Sequence, residues 1–291
     1  MNKSIFFVVQ RALFQKKMTT EPARHAKKSW KRRGRPLTFS RITLALTVLF
    51  LFLPLIVIIF YSFNEGKSAA FTHLSLRWYR ELLFNSRPLW EALLNSVIVA
   101  FASATVATIL GALSSIGVMW FRFRGRSFIQ TITYLPMVLP EVIVGVATLL
   151  FFNRMRIATG LFTIFAAHTT FCLPFVFLMV NARLDEFDYS IIEAAHDLGA
   201  TELQTLFKVI IPSLMPGILS GFLMAVTMSL EDFVITFFVS GPGSTTLPLY
   251  VYSMIRFGVS PVINALSFIM IMATCILAFV LRRGLKTFAA H

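Results

Sequence analysis

An all-α integral membrane protein with six transmembrane helices is the fold class this sequence predicts, and three observations carry it. First, 57% of the 291 residues are hydrophobic and only 14% are charged, against about 25% charged in a typical soluble domain; the mean hydropathy is +0.76. Second, six stretches, at about 42–63, 93–121, 127–152, 160–181, 216–240 and 261–281, are long and apolar enough to cross a bilayer, which takes about 20 residues. A soluble core of buried helices would not need six such long spans almost without charge. Third, no Lys or Arg lies inside a span. With the N-terminus inside, the segments facing the cytoplasm hold twenty of the 27 Lys and Arg and the outer loops hold seven. That asymmetry follows the positive-inside rule and sets both termini in the cytoplasm.

Each element has its own justification. Residues 1–40 form a basic cytoplasmic tail carrying Lys27, Lys28, Lys31, Arg32, Arg33 and Arg35, disordered or held against anionic lipid. Its one apolar run, Ile5 to Val9, is too short for a signal peptide. Met18 is an alternative start, and a true tail and an over-long reading frame both remain open. The net charge of +14 would suit nucleic acid, but its concentration at membrane-flanking segments argues for lipid instead. The first span ends at Asn64-Glu65-Gly66-Lys67-Ser68. An outer segment, about 64–92, follows with Trp78, Tyr79 and Trp90, which suit anchoring between lipid and water or a docking surface for another protein. Ser103, Ala107 and Gly111 in the second span, and Gly217 and Gly221 in the fifth, recur every four positions and let helix backbones approach. Arg122, Arg124 and Arg126 mark a tight inner turn. Pro136 and Pro140 bend or interrupt the third span. Ser240-Gly241-Pro242-Gly243-Ser244 is a turn-rich outer connection, and Leu247 to Phe257 forms a short helix at the outer surface. Cys172 and Cys275 fall inside spans and pack as apolar residues, with no disulfide framework and no metal-ligand pattern. The six-helix permease domain covers 41–285, and Arg282, Arg283 and Lys286 hold the C-terminal end, 286–291, inside.

The connection 182–215 is long and polar. Ser190 and Glu193 are spaced as a capping box, as are Thr201 and Gln204. Ile191, Ile192, Ala195 and Leu198 share one helical face; Leu203, Leu206, Phe207 and Ile210 share another. Gly199 suits a left-handed helix end, and Pro212 limits hydrogen bonding at the far end of the second helix. The expectation is two short helices joined at an elbow. Helices this short need packing to persist; on the residues alone, a partner protein and the chain itself serve equally well.

The elbow carries a resemblance. Glu193-Ala194-Ala195, then Gly199 after three residues, then Val209, Ile211 and Pro212, resembles the signature loop of membrane subunits of bacterial ATP-binding-cassette importers, with Val209 and Ile211 as conservative departures. The resemblance implies that Glu193, Ala194, Ala195, Gly199 and Pro212 couple the chain to cytoplasmic ATPase subunits, in a type I importer permease fold. It also implies a second homologous permease subunit and an extracytoplasmic substrate-binding protein, in a bacterial inner membrane. The chain has no phosphate-binding loop of its own, so it is expected not to be an enzyme and to need no cofactor, ATP hydrolysis belonging to a separate subunit.

Glu141, Glu231 and Asp232 stand inside the expected spans. A carboxylate at a bilayer centre costs about 2.5–3.5 kcal/mol on insertion scales, so such residues face a cavity or a partner, or tie helices together. A pathway lined by them would favour a small cationic substrate over an anion. His168, alone in span four, reads as a satisfied interior histidine or a pathway residue. The stretches His168 to Val176, Ser229 to Thr236, Phe238 to Gly243, Tyr252 to Arg256 and Gly258-Val259-Ser260-Pro261 resemble the polyamine branch of the importer family, its spermidine/putrescine permeases of the PotC type. Glu231 stands where that branch often has Asp, and Val262 where it often has an acid. The resemblance implies a permease forming half of a polyamine pathway. A permease for another small cationic or neutral solute, an ion-coupled carrier, and a receptor without transport are the alternatives.

Overall fold

The computed structural model describes residues 38–66, 71–120, 123–256 and 261–288, with side chains omitted at 38, 277, 278 and 280–288. The basic tail up to 37, Lys67 and Ser68, Arg122, Phe257 to Ser260 and the side chains of Arg282, Arg283 and Lys286 therefore lie outside the described residues. The chain divides into two compact units, Met1–Ile56 and Val57–His291. The first contains, in its described part, most of helix α1 (Thr38–Tyr61). All that follows belongs to the second.

The regular elements described in that unit are all helices, with one isolated antiparallel bridge between Asn64 and Leu74. After α1 come α2 (Arg77–Phe84), α3 (Arg87–Trp120), α4 (Arg126–Val138), α5 (Glu141–Arg154), α6 (Leu161–Asp185), α7 (Ser190–Asp197), α8 (Glu202–Thr205), a wide π turn (Leu206–Ile210), α9 (Ile211–Glu231), α10 (Val234–Val239), α11 (Leu247–Arg256) and α12 (Pro261–Phe288). Among the described residues four helices are long and apolar enough to cross a membrane, five if the bent pair α4–α5 counts as one span. The apolar described part of α12, Pro261–Ile276, is shorter than a span, although the helix runs on to Phe288.

The core forms where α3, α6 and α9 meet, and small residues set the distances. Ser103, Ala107 and Gly111 are buried. A Cβ on Gly111 would come within 2.9 Å of the Val176 side chain, and one on Gly221 within 3.2 Å of Val176 Cα. Both glycines thus bring their helices against the same valine, and the four-residue spacing serves packing within this chain. Cys172, Val176, Val180, Leu214 and Ala225 fill the space between.

The interruption expected of the third span is found, and two other expectations are corrected in detail. The third span is broken more sharply than a kink: α4 and α5 meet at 109°. Pro140 has no N–H to continue the ladder and forces Leu139 into an extended conformation, ψ 141°; Pro136 is tolerated inside α4. The fifth span does not run 216–240. It starts in the loop, at Glu202, and stops at Glu231, with Asp232 and Phe233 separating it from α10. The aromatics of 64–92 do not mainly face lipid. Trp78 is buried and its indole N–H donates to the Asn64 carbonyl at 2.9 Å; the Tyr79 hydroxyl donates to Ser62 Oγ at 2.7 Å; Trp90, partly exposed, donates to the Leu82 carbonyl at 2.9 Å. With Leu82, Leu89, Leu247, Val262 and Leu266, Trp78 makes a second apolar cluster. Each indole needed an acceptor, and the chain supplied one before a headgroup could. The short helix expected after Leu247 is present as α11.

Candidate functional site

Glu231 is the last residue of α9, and the chain leaves helical geometry at Asp232, ψ 123°. The Asp232 carboxyl group explains why a new helix starts at once. Oδ1 accepts from the Ile235 N–H at 3.2 Å, and Oδ2 accepts from the Thr236 N–H at 2.8 Å and the Thr236 hydroxyl at 2.9 Å. These occupy N–H groups that a helix start leaves unpaired. Oδ2 also lies 3.1 Å from His168 Nε2. Both side chains are almost fully enclosed, at 1% and 2% exposure.

The network continues in one direction. His168 Nδ1 is 2.7 Å from Ser229 Oγ, and Ser229 Oγ is 3.2 Å from Ser103 Oγ. One assignment fits the network: Ser103 donates to Ser229, Ser229 donates to Nδ1, and Nε2–H is shared between Asp232 Oδ2 and Thr236 Oγ1, the latter at 3.0 Å. Helices α3, α6, α9 and α10 are thus tied through one histidine. Of the two roles open to His168, the satisfied interior histidine is the one found. Ser229 and Thr236 were not picked out from the sequence, although polar residues at 229, 232 and 236 share one helical face in an otherwise apolar stretch.

The three acids separate. Asp232 is locked inside, whereas Glu231 and Glu141 are exposed. Glu141 opens α5 directly after the Pro140 break. Gly145 of α5 sits against Ile235 and Phe238 of α10, and further along both segments the Thr159 carbonyl meets Gly241. Each exposed acid stands at a helix break. In a membrane, non-helical backbone is tolerated where it is buried in protein or lines a cavity.

The elbow departs from expectation at its start. Ser190 and Glu193 do not form a capping box. Asp188 Oδ1 instead accepts from the Ser190 N–H at 3.0 Å, because the chain enters α7 with Tyr189 already in helical geometry. That backbone N–H, with the Ser190 side chain second, holds the Asp188 carboxyl below its ordinary pKa. The contact is complete above the ordinary aspartate range and is lost as pH falls through the lowered value. Thr201 and Gln204 do form their box, at 3.3 and 3.0 Å. Gly199 is left-handed at φ 80° and ends α7, with the Ala200 N–H donating to the Ala195 carbonyl at 3.0 Å. The second helix is not short: α8 passes through the π turn into α9. That wide turn accommodates Pro212, whose ring would clash with a carbonyl in a regular helix, so Pro212 stands at the start of α9. Ile210 is buried, while Leu198, Leu203 and Phe207 are 89%, 68% and 64% exposed. Glu193 and Ala194 are also exposed and Ala195 is half-buried. The elbow is anchored at one end and bare along its outward side.

Residues 105–288 match the family described as binding-protein-dependent transport system inner membrane component. The chain belongs to this family. It is similar to the putrescine transport system permease protein PotI of Escherichia coli (strain K12), 42% identical over 82% of this chain and 88% of that one. It is also similar to the spermidine/putrescine transport system permease protein PotC of Haemophilus influenzae, 40% identical over 76% of this chain and 86% of that one. Among solved structures, a bacterial ABC transporter involved in the import of the acidic polysaccharide alginate aligns with a TM-score of 0.68 at 18% identity, covering 84% of this chain and 94% of its counterpart. The MetNI methionine ABC transporter aligns at 0.55 and 20% identity, covering 74% and 99%. These two share the fold.

Proposed function

We propose that this chain is the permease subunit of an ATP-driven importer and forms half of the pathway for polyamines, spermidine or putrescine, across the inner membrane. The observation that carries the reading is the 42% identity to a putrescine permease over 82% of the chain, with the elbow geometry beside it. The subunit spans the membrane six times, with both termini and the 182–215 elbow in the cytoplasm. The elbow docks through Glu193, Ala194, Ala195, Gly199 and the segment leading to Pro212 onto ATPase subunits. A second homologous permease completes the pathway, and an extracytoplasmic binding protein delivers the substrate. Of the three acids, Glu231 and Glu141 are the pathway candidates; Asp232, enclosed by His168 and Thr236, holds the break between α9 and α10 in shape. The test is uptake of labelled putrescine and spermidine by cells lacking other polyamine importers and expressing this chain with its neighbouring transport genes. Uptake that needs both this chain and the ATPase is expected. No polyamine uptake, with another solute accumulated instead, overturns the substrate assignment. Uptake that persists without any ATPase overturns the coupling assignment.

A further inference from the structure

The break at Asp232 has a second consequence, on the side away from His168. Phe233 and Phe237 lie one helical turn apart on the far side of the break, 5.7 Å between ring centroids. Tyr252, from α11, meets both: its ring is 4.6 Å from Phe233 and 6.4 Å from Phe237. Phe237 and Tyr252 are 48% and 41% exposed, so this trio is not sealed core. Glu231 is two residues from Phe233, which keeps their Cα atoms within about 7 Å. Asp232, the intervening residue, points into the His168 cluster and leaves Glu231 as the exposed carboxylate two residues from the first ring.

We propose that Phe233, Phe237 and Tyr252, with Glu231, form a subsite for one ammonium group of an alkyl polyamine in transit. Ring faces are negative and attract a cation most when water is thin around them. A polyamine alternates ammonium groups with methylene chains, and an exposed carboxylate two residues along the chain from a ring cluster offers a partner for each. Phe238, edge-on to Phe237 at 5.5 Å, extends the apolar wall toward Gly145. Arg256 stands one turn beyond Tyr252 on α11, so the rings and Glu231 act against one positive charge, which suits transient passage over tight retention. This inference rests on the polyamine reading above.

The experiment uses the assembled transporter in liposomes, with binding protein saturating, and reads putrescine uptake beside ATP hydrolysis. Phe237→Leu and Tyr252→Leu keep apolar bulk and remove the ring face; Tyr252→Phe keeps the face and removes the hydroxyl. Uptake should fall roughly three- to thirty-fold in each leucine variant, the range that loss of a cation–ring contact implies. Tyr252→Phe should match wild type, and ATP hydrolysis and assembly should be unchanged in all three. Normal uptake in both leucine variants overturns the subsite, as does an equal loss in Tyr252→Phe. Loss of assembly in the leucine variants also overturns it, since the rings would then be a contact between subunits. A wild-type transporter that carries no polyamine overturns the polyamine reading itself, which separates the two failures.

Discussion

Replacing Asp232 with Asn tests the reading of that residue as a structural lock. Asn has the same shape and would leave a pathway carboxylate's site merely uncharged. Within the His168 cluster it does more. Oδ2 faces three groups, at 2.8, 2.9 and 3.1 Å, and Oδ1 faces the Ile235 N–H at 3.2 Å. An amide has one acceptor oxygen. Placed at Oδ2, it leaves its NH2 against the Ile235 N–H; placed at Oδ1, it sets the NH2 against up to three donors. At least one bond to a charged acceptor is lost, worth about 1.5–3 kcal/mol, and a buried donor is left unpaired. We expect roughly 2–4 kcal/mol of destabilisation, which for a chain of this size lowers the apparent melting temperature by about 5–10 °C. The assay is loss of the monodisperse chromatographic peak on heating the purified complex in detergent, with Glu231→Gln alongside. Glu231→Gln should melt with wild type and lose at least about five-fold in polyamine uptake, since a desolvated charge contact is worth on the order of 1 kcal/mol or more. The reasoning is refuted if Asp232→Asn melts within about 1 °C of wild type while its uptake is lost.

The remaining predictions concern the elbow and the core. Gly199→Val places a β-branched residue at φ 80°, at a cost of about 1–3 kcal/mol, and should cut uptake more than about ten-fold while the protein still reaches the membrane; uptake and stimulated ATP hydrolysis at wild-type levels would contradict the coupling role. Gly111→Val drives a side chain into Val176, already 2.9 Å from a bare Cβ, so the yield of folded protein should fall by half or more; normal yield and melting would show that α3 and α6 can separate. With Cys172 and Cys275 replaced by Ala, Ala195→Cys should resist an impermeant thiol reagent in intact cells and react in inverted vesicles; strong labelling from outside would reverse the topology.

The sequence made the class of fold and the elbow legible, because both are written in local signals. Span length and charge asymmetry act residue by residue, and so does the left-handed glycine at 199. The small-residue spacing at 103, 107 and 111 was legible as close packing, and its partner Val176 was not, because a four-residue period identifies a face and never what it meets. Two local signals misled. Ser190 and Glu193 had capping-box spacing, but Asp188, two residues earlier, reached the Ser190 N–H first. Trp78 and Tyr79 had the composition of an interfacial belt, but their polar tips found Asn64 and Ser62 across a turn of the chain. The end of the fifth span at Glu231 was hidden for another reason. Ile235 and Val239 continue an apolar helical pattern, and only a hydrogen bond back to Asp232 restarts the register.

That restart decides what adjacent acids can do. On an unbroken helix, Glu231 and Asp232 would be set about 100° apart, and neither could be assigned by pattern alone. The break turns the ambiguity into a division of labour. Asp232 finds donors enough inside the protein to be held there: two N–H groups of α10, the Thr236 hydroxyl and His168. An acid so supplied is stable where it is and has little capacity left for a passing cation, because binding one would mean surrendering contacts that hold α10 to α9. Glu231 has no such set. Its exposure at the end of a helix leaves its carboxylate to water or to a visiting charge, and a visiting ammonium group then displaces solvent alone. The same logic holds at Glu141, where Pro140 makes the break and the acid that follows is exposed. In both places helix continuity is given up beside an acid that the protein does not use to hold itself together, which is the arrangement a cation pathway needs.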